Sequence, residues 1–327
     1  MYRLLLTFLL ASMMLEATEA AFPLYLNGYM GPKAGYMPSP GLYFRNDAYH
    51  HPGHIKGNIL GGVATARSNA KISFDILNFT YVSNYTLLGA NVGCGVIVPI
   101  GRVNVHAKIS LPVTSVTITE NGAGLPVANL SLNTETRKKH QVSHGIADAL
   151  LIPVMLGWHV DEYNLHFLAY QGVFLPTGSY TKGKVANMGQ NHFATETDAG
   201  FTWLNSNWGT EISAITGVTV NLENHKIHYR SGTGWHTDFF IGQYLTSNLQ
   251  ISLSGYWFYQ LNPDSGRGSK VLGDFRSRAL GLGPSISYEW KIGNVPVTAT
   301  VRYFKETHTK NYLKGETFYF TINVPLF

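Results

Sequence analysis

The sequence predicts an all-β fold, a transmembrane antiparallel up-and-down β-barrel of about 12 to 14 strands. Three observations carry that prediction: two-residue alternation, connections that alternate between short and long, and tryptophans gathered near turns. The alternation is cleanest toward the C-terminus. Leu280, Leu282, Pro284, Ile286, Tyr288 and Trp290 share one parity, against Ala279, Gly281, Gly283, Ser285, Ser287 and Glu289. Val295, Val297, Ala299, Val301 and Tyr303 oppose Thr298, Thr300 and Arg302. Phe318, Phe320, Ile322, Val324 and Leu326 oppose Tyr319, Thr321 and Asn323. Successive strand side chains point to opposite faces, so each segment is a strand with one apolar face. Such strands build soluble sandwiches, or barrels with lipid outside and water inside. The connections favour the barrel. After residue 158, short turns (159–161, 205–207, around Ser247, 291–294) trade places with long loops at 176–189, 223–234, 262–274 and 305–315. Outer-membrane barrels sort their connections in this way, with short turns on the periplasmic side. Trp158, Trp203, Trp208 and Trp290 lie beside the short turns, and Trp235 and Trp257 nearer the long loops, as two interfacial girdles require.

From the start of the chain, Arg3 precedes an apolar run from Leu4 to Leu15 and a small-residue exit at Glu16-Ala17-Thr18-Glu19-Ala20. This pattern predicts a signal peptide over residues 1–20, since the run is too short to span a bilayer. Residues 21–327 then form a single barrel domain. No later stretch approaches the roughly 18 apolar residues of a membrane helix, so a membrane-embedded chain must close its backbone hydrogen bonds as a barrel. Strands are expected near 41–50, 71–83, 86–98, 102–116, 146–158, 162–175, 190–204, 208–222, 232–246, 248–262, 275–290, 295–305 and 315–327. That count is odd, whereas bacterial single-chain barrels use even numbers. Either 55–67 hides a further strand, or one expected strand is false. Residues 119–145, with Arg137-Lys138-Lys139, read as a polar loop. Phe327 falls out of phase with Leu326, which a bulge would restore.

Charged and aromatic residues each make up 13% of the chain, a balance unlike that of disordered segments. The formal net charge of +5 is spread out, so no basic face invites nucleic acid. The single cysteine, Cys94, cannot form an internal disulfide and falls on the apolar parity of its strand, facing lipid or core.

Inward faces mix polar and aromatic groups. Arg102, Asn104, His106, Lys108 and Ser110 are expected inside, opposite Val103, Val105, Ala107, Ile109 and Leu111. His166, Tyr170, Tyr256, Phe258, Gln260 and Arg302 are the candidate lining of a passage. Such a lining suits a narrow route for amphipathic or aromatic solutes, and equally a lumen filled by its own side chains. The histidines cluster at His50-His51-Pro52-Gly53-His54 and at His225, His228 and His236, and read as solvated loop groups without metal. Asp264-Ser265-Gly266 sets a serine beside an acid without a histidine close in sequence, and turn chemistry accounts for it. No cofactor fingerprint is present, so neither catalysis nor a cofactor is expected.

Several short motifs stand in order over residues 148–327: Pro176-Thr177-Gly178-Ser179-Tyr180, Asn187-Met188-Gly189-Gln190-Asn191, Glu223-Asn224 and Tyr229-Arg230-Ser231-Gly232. They continue with Gly255-Tyr256-Trp257-Phe258-Tyr259-Gln260, Asp264-Ser265-Gly266, Gly283-Pro284, and Arg302-Tyr303-Phe304 with Glu306 and Gly315. With looser likeness at 41–49 and 89–99, the chain resembles the outer-membrane family named for the meta-pathway of phenol degradation. One departure is Asn311-Tyr312, where that family tends to show arginine after asparagine. The resemblance implies a barrel in the outer membrane of a Gram-negative bacterium, in contact with lipid. It further implies a channel or accessory protein that passes small hydrophobic or aromatic solutes. Pro176, Gly178, Asn191, Asn224, Asp264, Gly266 and Glu306 would then shape loops at the barrel mouth. The alternative is a structural or surface-interaction barrel with a closed lumen; oligomeric state is left open.

Overall fold

Strand pairing begins at the turns. Leu88 and Gly89 take positive φ (53° and 76°), the geometry of a two-residue hairpin whose twist matches its flanking strands. Gly293, at φ 61°, does the same for the hairpin at 293–294. In a computed structural model describing residues 23–59, 64–120, 126–267, 269 and 275–327, such turns and longer connections join fifteen strands. They are β1 (Gly41–Ile59), β2 (Ala64–Leu87), β3 (Ala90–Glu120), β4 (Pro126–Ile146), β5 (Ala149–Val160), β6 (Leu165–Leu175), β7 (Ala194–Asn205) and β8 (Thr210–Asn221). After them come β9 (Tyr229–Arg230), β10 (Gly234–Tyr244), β11 (Leu249–Gln260), β12 (Ser265–Gly266), β13 (Arg278–Ile292), β14 (Val295–Lys310) and β15 (Lys314–Pro325). Twelve strands close an antiparallel barrel, with β1 pairing β15 at the seam and β4 outside the ring. The pair β9–β12 is a two-residue clasp between two long loops.

The count resolves against the sequence expectation. Most of 86–98 and all of 102–116 belong to one strand, β3, and the described residues of 55–67 are the last of β1 and the first of β2. The supposed loop at 119–145 is mostly β4, a strand paired with the upper half of β3 from Ile100↔Ile146 to Glu120↔Pro126. Below that, β3 pairs β5 (Asn91↔Gly157 to Ile97↔Leu150). One strand thus has two successive neighbours, and β1 to β4 rise above the ring as a wall. The long loop expected at 305–315 is a tight turn at 311–313 between two lengthened strands. No bulge brings Phe327 into phase: β15 stops at Pro325, and the Phe327 carbonyl caps the seam by accepting from Leu42 N at 2.9 Å.

Parity holds in the ring. Phe318, Phe320, Val301, Ile286, Leu253 and Phe167 point outward and are exposed, while Thr317, Tyr319, Arg302, Ser285, Tyr256 and Leu168 are buried inside. Leaving one large apolar side chain in water costs about 1.5–3 kcal/mol, so a belt of this kind requires lipid around it. Cys94 is exposed on the same outer surface. On the rising wall the parity is reversed from expectation. Val105, Ala107, Ile109 and Leu111 are buried on its inner side, and Arg102, His106 and Lys108 are exposed. Above the bilayer the outside is water, so the polar face turns outward.

Candidate functional site

Residues 23–40 carry Pro23, Pro32, Pro38 and Pro40 among Gly28, Gly31 and Gly35, without the spacing of helix or strand. Such a segment cannot satisfy its own backbone, so buried inside a barrel it must bond to the wall. It runs through the lumen, from Pro23 at the long-loop end to Gly41 at the short-turn end. Asp238 (β10) accepts from the Tyr25 hydroxyl (2.7 Å), Gly28 N (2.8 Å) and Met30 N (3.0 Å). Glu211 (β8) accepts from Lys33 N at 2.6 Å, and Thr202 Oγ1 (β7) from Gly35 N at 3.0 Å. From the other side Arg302 (β14) donates to the carbonyls of Gly28 (2.8 Å) and Tyr29 (2.7 Å), and to Asp47 Oδ1 (β1) at 3.0 Å. Its guanidinium lies 4.6 Å from the Tyr319 ring centroid. Arg45 binds Asp47 at 2.8 Å and the Tyr29 carbonyl. At Gly35 any Cβ would lie 2.2 Å from the Phe201 backbone, so only glycine lets the segment pass β7.

At the long-loop end the segment, the wall and the 176–193 loop enclose an apolar pocket of about 180 Å³. Its lining includes Leu24, Ile72, Phe74, Val105, Met188 and Leu313, with Asp148 and Gln190 as polar groups. The loop is docked on β4: Ser143 Oγ donates to the Ala186 carbonyl (2.7 Å), Val185 N to Gln141 Oε1 (2.6 Å), and Lys139 Nζ to the Gly183 carbonyl. Asp148, in the β4–β5 connection, accepts from Gly178 N (2.9 Å) and Gln190 N (2.6 Å). Burial nevertheless pushes its carboxyl up to about 6, the two N–H bonds offsetting only part of that cost. At the short-turn end a wider space of about 450 Å³ is bordered by residues 30–38 of the segment and by Arg302, Gln250 and Met155. Between the residues that line the two spaces lie Asn27, Gly28 and Tyr29, the most tightly clamped stretch.

The candidate lining residues face inward, in distinct settings. Arg302 holds the segment. Tyr256, whose hydroxyl donates to Glu306, and Phe258 pack against Phe304 and Tyr312, with ring centroids 5.4 and 5.8 Å apart. Tyr170 is buried beside Asp198. His166 is half-buried near the short-turn end, edge-on to Tyr36 at 4.8 Å. Gln260 sits at the upper rim, donating to Asp264 Oδ1 (2.8 Å) and accepting from Ser277 N (3.1 Å).

The mouth motifs divide. Thr177, after Pro176, bridges Ala147 and Ala149, and Gly178 packs so closely on Gly189 that a Cβ would lie 2.6 Å from its Cα. Asn191, at φ 58°, donates to Asn224 Oδ1 (2.9 Å), and Asn224 donates to the Gln190 carbonyl (2.9 Å). Asp264 accepts from the Tyr229 hydroxyl and from Gly232 N (2.8 Å), and Gly266, at φ 92°, passes against the His228 carbonyl. Glu306 is not in a loop. It lies within β14, buried in the lumen, accepting from Thr317 Oγ1 (2.8 Å) and Gly315 N (2.9 Å). The histidine reading also needs correction. His225 and His228 are exposed beside Glu223, but His51 and His236 are buried, His236 with Glu196 and Asp198. Sequence reasoning missed the lumen segment and its main anchor, Asp238. The only signal was an aperiodic, proline- and glycine-rich stretch ahead of the first strand.

A family model described as "Putative MetA-pathway of phenol degradation" matches residues 56–322. The chain belongs to that family. Among solved structures it resembles the COG4313 outer membrane channel from Pseudomonas putida F1, with TM-score 0.63 and 12% identity over 90% of this chain and 98% of that one. It also matches a Pseudomonas aeruginosa FadL homologue at TM-score 0.41 and 9% identity, over 97% of this chain and 98% of that one. No curated protein matches the sequence. At such identities the first likeness speaks for the fold, and the second is too weak to argue from. The lipid-facing belt, closed ring and loop asymmetry place this family member in the outer membrane of a Gram-negative cell.

Proposed function

We propose that the protein is a passive outer-membrane channel for small apolar and aromatic compounds, which enter at the mouth pocket. The observation that carries this reading is the size and chemistry of that pocket. A dry apolar cavity of about 150 Å³ accommodates benzene, and this one, at about 180 Å³, is lined by aliphatic and aromatic groups. Asp148 and Gln190 at its edge could meet a single hydroxyl, which favours phenol-like solutes over alkanes. Onward passage past His166, Tyr170, Tyr256, Phe258, Gln260 and Arg302 requires residues 25–29 to shift. Residues 1–20 would serve as the export signal for a single barrel domain from residue 21. No catalytic role is proposed, since Asp264, the acid beside Ser265, is occupied in holding its loop.

The filled lumen favours one other reading, a closed structural barrel whose loops meet envelope or surface partners. Uptake of labelled phenol, toluene and a long-chain fatty acid into liposomes bearing the protein separates the two. Faster entry of the aromatics, reduced several-fold by Val105→Asp in the pocket, supports the channel. Entry no faster than into empty liposomes rejects it in favour of the closed barrel.

A further inference from the structure

We propose that Glu196, Asp198 and His236 form a binding site for one divalent transition-metal ion, zinc or a close relative, inside the barrel wall. Glu196 and Asp198 share the inner face of β7, and His236 lies on β10. The intervening strand is β8, where Gly217 stands opposite both Asp198 and His236. A Cβ at Gly217 would lie 1.9 Å from Asp198 Oδ1 and 2.8 Å from His236 Cε1. The glycine therefore opens the space in which side chains from the two flanking strands meet. One potential ligand atom from each residue lies within 4.8 Å of the others. His236 Nε2 is 2.6 Å from Glu196 Oε1 and 3.4 Å from Asp198 Oδ1.

Polar accounting points to a cation. Asp198 is 2% exposed and faces the Tyr170 hydroxyl, the Glu196 carboxyl and His236, and neither of its oxygens makes a hydrogen bond of ordinary geometry. Two carboxylates facing one imidazole leave a surplus of negative charge, which is costly in a dry interior unless a cation offsets it. The nearby cations are committed elsewhere: Arg302 and Arg45 bind Asp47 and the lumen segment. Asp238 is held by the segment as well. A dication bound by Glu196 and Asp198 cancels the surplus. A nitrogen and two carboxylates form a borderline donor set suited to zinc and its neighbours, because imidazole is a poor ligand for calcium or magnesium.

The spacing agrees. Tetrahedral ligands about 2.1 Å from zinc lie roughly 3.4 Å apart, a separation that Asp198 and His236 already have and that Glu196 and His236 reach by opening somewhat less than 1 Å. Thr219 Oγ1 donates to Glu196 Oε2 and orients that carboxylate, as outer-shell partners of metal ligands do. The Tyr25 ring stacks on His236 with centroids 3.5 Å apart and planes at 12°, closing the site from the lumen side. This inference does not depend on solute passage.

The test uses the purified full-length protein, stripped with a chelator, reloaded with zinc and desalted. Elemental analysis should find one retained zinc per chain. The zinc-edge absorption spectrum should show a single imidazole nitrogen among oxygens. The double variant Asp198→Asn/His236→Gln should lose the ion while keeping heat-dependent electrophoretic mobility. The double variant His225→Ala/His228→Ala, which removes exposed loop histidines, should retain it. No zinc in the wild type, or zinc undiminished in the first variant, overturns the proposal and leaves a shared proton as the occupant. If that variant does not fold, the wild-type spectrum decides: no imidazole, or more than one, overturns the assignment.

Discussion

Asp148 ties two distant parts of the outer loop, Gly178 and Gln190, to the start of β5, yet does so as a buried carboxylate. Its value near 6 lies above the ordinary 3.8, so the folded protein holds this proton more tightly than the unfolded chain. The associated stability is complete below about pH 4, is lost as pH rises through about 6, and is absent above that. Urea denaturation in detergent at pH 4 to 7 should show the decline, and Asp148→Asn should flatten it within that window. Asp238 offers a second residue-scale prediction. Asp238→Ala removes the acceptor for three groups of the lumen segment. It should raise single-channel conductance and expose the segment to protease, at a stability cost on the order of 3 kcal/mol in a melt. Neither residue was singled out in the sequence, because each draws its role from partners far away along the chain. Arg302 was legible as an inward arginine on an alternating strand. Its bond to Asp47, on the first strand, was not.

At the scale of elements, alternation located nearly every ring strand, because burial on one face writes itself directly into parity. It failed where the surroundings changed. On β3 and β4 both faces depart from the lipid-outside rule, so a strand with Arg137-Lys138-Lys139 passed for a loop and the inner and outer faces of β3 were interchanged. The lumen segment failed for another reason: a chain held by main-chain bonds to a wall needs no side-chain period. Deleting residues 23–38 should therefore leave a barrel that still shifts on heating in electrophoresis but conducts more in planar bilayers. Loop packing gives a further prediction. Gly178→Val forces the 176–180 turn away from Gly189, where even a Cβ would come within 2.6 Å. Loop cleavage by added protease should accelerate while the ring remains intact.

For the whole molecule, loop asymmetry and tryptophan placement were enough to foresee a membrane barrel, and the odd count came from splitting one long strand in two. What the barrel contains was not foreseeable, since sequence parity tells which side chains face inward and not what they meet there. Solute traffic is the property that belongs to this scale. Phenol entry into proteoliposomes should fall several-fold in Val105→Asp, with no change in insertion efficiency.

The clamp on Tyr29 also bears on the order of assembly. Asp47 belongs to the first strand, Arg302 to the penultimate and Thr321 to the last, and these three join across the seam, with Arg302 donating to both Asp47 (3.0 Å) and Thr321 Oγ1 (2.9 Å). The strands that must meet are separated by almost the whole chain, so their pairing comes after synthesis of the final strand and carries the largest loop-closure cost in the molecule. Until that zipper closes, the arginine has no aspartate and the segment has no lock. Capture of the N-terminal residues and completion of the cylinder are thus a single event, and a chain cut short before Thr321 can achieve neither.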